Sequence, residues 1–205
     1  MEKNKNKNIV EEIKVILVGE SGTGKTSLIN ATTGIGFNEN IETTTSNTFL
    51  TKKITIGSDE ITVNLWDTIG QEKFRSLTKI FIKDSKIVIF VYDITRKQTF
   101  DELNFWIKMV QDILGNTPIL GICGNKDDLI MKEEVKEGIV KKYSEEKNIP
   151  YRLTSAKNPL SFNQFLDELV GKYVEKFGGK KNNGEKPKPK INLTNDQKPA
   201  KKKCC

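Results

Sequence analysis

The stretch Gly19-Glu20-Ser21-Gly22-Thr23-Gly24-Lys25-Thr26 limits what this chain can become more than any other. It is a glycine, four residues, then Gly-Lys and a hydroxyl residue, and it lies between two segments of different character. Before it, Ile13-Lys14-Val15-Ile16-Leu17-Val18 reads as a buried β-strand; after it, Thr26-Ser27-Leu28-Ile29-Asn30-Ala31 opens a helix. A loop in that position aims successive backbone N–H groups and the helix dipole at anionic oxygens, and Gly22 and Gly24 let it curl without side-chain clashes. Ser21, Gly22, Thr23, Gly24, Lys25, Thr26 and Ser27 are therefore candidate phosphate-binding residues. Lys25 would reach β- and γ-phosphates, and the Thr26 hydroxyl would ligate Mg²⁺.

The formal charge of +7 invites a nucleic-acid reading until it is mapped. Residues 1–177 hold 25 basic and 25 acidic side chains, so the excess lies wholly in the last segment. A basic groove is not expected, and neither is a nucleic-acid partner. The first eight residues alternate Lys and Asn and read as a flexible lead-in. No secretory signal, myristoylation glycine or membrane-spanning run is recognisable, which points to the cytosol. Accordingly Cys123, inside Ile119-Leu120-Gly121-Ile122-Cys123, reads as a reduced core residue.

Residues 33–42 are polar and lead into Thr43-Thr44-Thr45, the pattern of a mobile loop. Phe49 to Ile56 and Ile61 to Trp66 then alternate apolar and polar residues about Gly57-Ser58-Asp59-Glu60, which predicts a β-hairpin. Its second strand ends at Asp67, and a strand-end aspartate after a phosphate loop is the expected second Mg²⁺ group. Gly70, three residues on, offers an N–H where a γ-phosphate needs a donor. Further strands are predicted over Lys86–Tyr92, Pro118–Cys123 and Pro150–Leu153. Helices are predicted over Thr99–Leu114, over Glu133–Lys147 and from Ser161, with Ser161 and Gln164 spaced as a capping box. The alternation predicts an α/β fold: six strands, mostly parallel with one antiparallel edge, and helices on both faces.

Taken together, the phosphate loop, the threonine cluster and Trp66-Asp67-Thr68-Ile69-Gly70-Gln71-Glu72 resemble the small GTPases of the Ras superfamily. Asn125-Lys126-Asp127-Asp128 is similar to that family's guanine-reading motif, and Thr154-Ser155-Ala156-Lys157 to its Ser-Ala-Lys loop. The resemblance covers residues 9–177, a single G domain, and within the superfamily Val91-Tyr92-Asp93-Ile94-Thr95 and the terminal Cys204-Cys205 look most like Rab proteins. It implies that Thr44 joins Mg²⁺ and contacts the γ-phosphate, because setting Phe49 against the family's aromatic selects Thr44 over its neighbours. It also implies that Gln71 orients the attacking water. Asp128 would accept paired hydrogen bonds from guanine, Asn125 would tie this loop to the phosphate loop, the Lys126 stem would lie along the base, and the Ala156 N–H would donate to guanine O6. Ser155 and Lys157 complete that end.

Three departures from the Rab pattern stand in loops that matter: Thr45-Ser46-Asn47-Thr48 after the switch threonine, Phe81-Ile82 in place of paired tyrosines, and Ile69 in place of alanine. The stiff, β-branched Ile69 is expected to slow intrinsic hydrolysis. Phe49, Trp66 and Phe81 remain available as an aromatic cluster for partners.

Residues 178–205 are rich in Lys, Asn, Pro and Gly and read as an extended basic tail. Its Cys204-Cys205 end looks like the Rab signal for two geranylgeranyl chains, which beside Lys201-Lys202-Lys203 would anchor the protein to a cytoplasmic membrane face while a cytosolic pool persists. The resemblance thus implies GTP and GDP as ligands, Mg²⁺ as cofactor, a monomer, and an exchange factor, an activating protein, a GDP-dissociation inhibitor and effectors as partners in vesicle traffic. A nucleotide-binding scaffold that never cycles would carry the same binding motifs, and a phosphotransferase would need an acceptor-binding segment that the sequence does not display.

Overall fold

The computed structural model describes residues 11–39, 44, 48–57, 59–68 and 75–178. Six strands form one sheet: β1 (Glu11–Val18), β2 (Thr48–Ile56), β3 (Asp59–Asp67), β4 (Ile87–Asp93), β5 (Ile119–Asn125) and β6 (Tyr151–Thr154). Their order is β2-β3-β1-β4-β5-β6, with β2 antiparallel to β3 and every other pair parallel. The hairpin register sets Phe49 opposite Trp66 and Thr48 opposite Asp67. The helices are α1 (Lys25–Thr32), α2 (Arg75–Ile82), α3 (Lys97–Asp101), α4 (Leu103–Leu114), α5 (Glu137–Lys147) and α6 (Leu160–Phe177), with a 3-10 helix over Asp127–Lys132.

Side chains alternate across a strand, and β1 shows the consequence in its two apolar faces. Ile13, Val15 and Leu17 pack with Leu28 and Ile29 of α1 and with Phe162, Phe165, Leu169 and Tyr173 of α6. Ile16 and Val18 join the opposite cluster, which contains Leu103, Trp106 and Val110 of α4 and Val140 of α5. Strand β4, its neighbour, is buried along its whole length. Two covered faces explain why these central strands read as continuous apolar runs. Cys123 is a free, buried thiol in this core, as expected.

Several boundaries differ from the sequence reading. The helix predicted from Thr99 starts at Lys97 and is divided at Glu102. Thr99 Oγ1 accepts from the Asp93 amide and donates to the Arg96 carbonyl, which binds the first turn to the end of β4. The helix predicted from Glu133 starts at Glu137 because the Glu134 and Val135 amides donate to the Ile94 carbonyl instead of entering a helix. The Ser161/Gln164 capping box does not form: Pro159 takes the N-cap, so Ser161 already lies within the first turn. Helix α2 and the 3-10 helix were absent from the sequence reading. Ile69, Gly70, Gln71, Thr43 and Thr45, the lead-in and residues 179–205 lie outside the described residues. Among the described residues, no helix is long and apolar enough to cross a membrane.

Candidate functional site

A cavity of about 350 Å³ lies between the loop that follows β1, the end of β5 and the turn after β6. Ser21, Gly22, Gly24, Lys25, Thr26 and Ser27 line one end of it. Thr23 is buried behind them, its hydroxyl donating to the Glu20 carbonyl at 3.0 Å. The Lys25 ammonium donates to the Gly19 and Glu20 carbonyls, both at 2.9 Å. Burial lowers the Lys25 pKa to about 8, against the raising influence of Asp67 and Glu20, and nearby Arg96 adds to the lowering. Glu20 in turn accepts from the Trp106 indole N–H at 3.2 Å, which seats the loop on α4.

Beside the loop, oxygens from three distant segments meet. Thr26 Oγ1 donates to Asp67 Oδ2 at 2.6 Å and lies 2.6 Å from Thr44 Oγ1, and Thr44 Oγ1 is 3.3 Å from the same carboxylate oxygen. Burial raises the Asp67 pKa, against the stabilising hydrogen bond from Thr26 and the charge of Lys25. Its other oxygen, Oδ1, is buried without a hydrogen-bond partner. A desolvated carboxylate with one orphaned oxygen and two adjacent hydroxyls suits a small hard cation, which prefers oxygen ligands. This donor set therefore fits Mg²⁺.

The opposite end of the cavity is built from β5, β6 and the turns that follow them. Asn125 Nδ2 donates to the Thr23 carbonyl at 2.9 Å, which makes the tie to the phosphate loop expected of Asn125. Asp128 Oδ1 accepts from the Ser155 hydroxyl at 2.6 Å, and the Lys157 ammonium lies 3.5 Å from Asp128 Oδ2. Ala156 is buried and lines the cavity. Lys126, in a left-handed conformation, also lines it and pairs with buried Asp93 at 2.6 Å.

The sequence reading passed over several residues here. Phe37 lines the cavity with its ring 5.5 Å from the Lys157 ammonium, and Glu39 pairs with that ammonium at 3.2 Å. The available signal was a lone aromatic in an otherwise polar loop. Asp93 and Arg96 were also missed as neighbours of the site. Away from the cavity, Phe49 stacks on Trp66 at 5.0 Å and Trp66 contacts Phe81 at 6.0 Å, so the predicted aromatic cluster is present.

Residues 14–175 match the Ras family. The chain belongs to the Ras family. It is similar to the Ras-related protein Rab-21 of Homo sapiens, 37% identical over 79% of this chain and 72% of that protein. The Ras-related protein Rab-22A of Homo sapiens is 35% identical over 78% of this chain and 82% of its own length. Rab-21 of Geodia cydonium is 36% identical over 79% and 71%. This Ras-family domain is thus a Rab-like small GTPase, and the site just described occupies the strand ends where its α/β sheet reverses winding.

Proposed function

We propose that the chain is a Mg²⁺-dependent guanine-nucleotide switch that hydrolyses GTP slowly and acts from a cytoplasmic membrane face in vesicle traffic. One observation carries this reading: Thr26 and Thr44, gathered on buried Asp67, line the same cavity as Asp128, whose carboxylate accepts from Ser155. Cation donors and a base-reading carboxylate share one pocket.

In this reading Lys25 and the backbone of Ser21 to Ser27 hold the phosphates, while Thr26, Thr44 and Asp67 hold Mg²⁺. Bound there, Mg²⁺ neutralises charge on the β- and γ-phosphate oxygens. Asp128 accepts from guanine N1–H and the 2-amino group, an arrangement adenine cannot match, with Ser155, Ala156, Lys157, Asn125 and Lys126 around the base. Ser155 supports Asp128 by donating to one of its oxygens. Phe37 lines the pocket with its ring beside the Glu39–Lys157 pair. Gln71 orients the attacking water and Gly70 donates to the γ-phosphate, roles that rest on the family resemblance. Ile69 restrains that loop and keeps intrinsic hydrolysis slow until an activating protein assists.

The aromatic cluster of Phe49, Trp66 and Phe81 is the surface offered to effectors, with Phe49 about half exposed at 48%. Cys204 and Cys205 carry lipid, and exchange factor, activating protein and GDP-dissociation inhibitor govern the cycle. The deciding experiment identifies the nucleotide released from purified protein, then follows bound GTP in a single turnover for wild type and Ile69→Ala. Guanine nucleotide with GTP passing to GDP is expected, faster in the variant. Absence of guanine nucleotide, or GTP that persists unhydrolysed, would remove the switch reading.

A further inference from the structure

Arg96 sits at the N-cap of α3 and reaches back over the phosphate loop. Its Nη2 donates to the Ser21 carbonyl at 2.9 Å. Gly22 leaves room for this approach, since a Cβ there would lie 3.1 Å from Arg96 Nη1. In a trans peptide the carbonyl of one residue and the N–H of the next point in opposite directions within one plane, and no described peptide bond is cis. A guanidinium holding the Ser21 carbonyl therefore turns the Gly22 N–H to the other side of the loop. Gly22 itself lines the cavity.

We propose that Arg96 is a positioning residue for phosphate recognition, clamping the Ser21–Gly22 peptide so that the Gly22 N–H faces the phosphates of a bound guanine nucleotide. The inference rests on the guanine-nucleotide reading and deepens it. Although its side chain is 47% exposed, Arg96 is held in place. Its amide donates to the Asp93 carbonyl at 3.0 Å, and its Nε lies 3.9 Å from Asp93 Oδ2. The same carboxylate oxygen is 2.6 Å from the Lys126 ammonium. Ser21, Arg96, Asp93 and Lys126 thus form a polar chain from the phosphate end of the site to the base end. Arginine suits the task because its planar fork addresses a carbonyl and a carboxylate together, whereas a lysine has one point charge to offer.

The test uses the full chain loaded with a fluorescent GDP analogue, as wild type, Arg96→Ala and Arg96→Lys. Release is expected to be about tenfold faster for Arg96→Ala, the scale of losing one charge-assisted hydrogen bond, with Arg96→Lys between the two. The Gly22 amide proton resonance in the GDP-bound state should move in Arg96→Ala and return part-way in Arg96→Lys, while amides of β5 stay in place. A general loss of stability would not single out Gly22. Release within twofold of wild type, or an unmoved Gly22 amide, would overturn the role of Arg96 and leave the nucleotide reading intact. A wild-type protein that fails to load guanine nucleotide would overturn both.

Discussion

Gly24 and Asn125 approach so closely that a Cβ on Gly24 would lie 2.3 Å from Asn125 Nδ2. Gly24 also has φ +90°, a left-handed conformation that side chains resist. Gly24→Ala is therefore expected to break the Asn125 bond to Thr23 and to add backbone strain of about 1–3 kcal/mol. The purified variant should retain little nucleotide and melt at a lower temperature. Nucleotide content equal to wild type would show that the two loops need not be joined.

Metal removal gives a second expectation. Chelation of Mg²⁺ should speed GDP release severalfold in wild type. Asp67→Asn, which removes the buried charge beside Thr26 and Thr44, should release GDP quickly with or without chelator. The quantity to compare is the ratio of release rates with and without chelator. An equal ratio in both proteins would place the cation elsewhere.

Asp128→Asn exchanges an acceptor for a donor at the base end. GTP binding is expected to weaken by about 10²-fold or more, because a site built around a hydrogen bond rejects a ligand that leaves it unpaired. Xanthine nucleotides, which present a carbonyl where guanine has its amino group, should gain. Competition of GTP and XTP for each protein reads this directly, and unchanged selectivity would remove Asp128 from base recognition.

Cys123 yields a pH dependence. Burial pushes its thiol up to about 12, against a hydrogen bond with the Thr154 hydroxyl 3.0 Å away. An unfolded thiol titrates near 8.5–9, so between roughly pH 9 and pH 12 the unfolded chain has lost a proton that the folded chain keeps. Stability from this group is complete below that window and falls by about 1.4 kcal/mol per pH unit within it. Denaturant titrations of wild type and Cys123→Ala isolate the group, since other titrations cancel in the difference. The wild-type curve should fall more steeply with pH, and parallel curves would contradict the assignment.

Truncation before Cys204 should leave nucleotide affinity unchanged and move the protein wholly into the soluble fraction. Neutralising Lys201, Lys202 and Lys203 alone should weaken attachment in part, with the basic contribution vanishing at high salt. Membrane fractionation that survives loss of both cysteines would refute lipid anchoring.

The sheet was legible where burial is two-sided or alternating. Strands β1 and β4 announce themselves as apolar runs, and the β2–β3 hairpin by its alternation, because those patterns are local. Helix boundaries were less legible, since long-range bonds decide them. The Ile94 carbonyl takes the amides of Glu134 and Val135, a pairing across about 40 residues that no window of sequence contains. At α6 a genuine capping pattern was present, yet Pro159 had already begun the helix. Within the site, the phosphate and base motifs could be read because each is contiguous. The Glu39–Lys157 pair and the Arg96 clamp could not, because each joins a loop to a partner far along the chain.

The α6 face of the sheet has a consequence for synthesis. Ile13, Val15 and Leu17 are among the first core residues to leave the ribosome, whereas their covering partners, Phe162 to Tyr173, are among the last. At typical translation speeds that interval is about 8–30 s, during which α1, through Leu28 and Ile29, is the only helix available to cover that side of the nascent sheet. The turn at Ser155 to Lys157, which closes one end of the cavity, is also made only shortly before α6. That side of the domain therefore closes last, and a chain cut short before α6 would leave the apolar faces of Ile13, Val15 and Leu17 without their main cover.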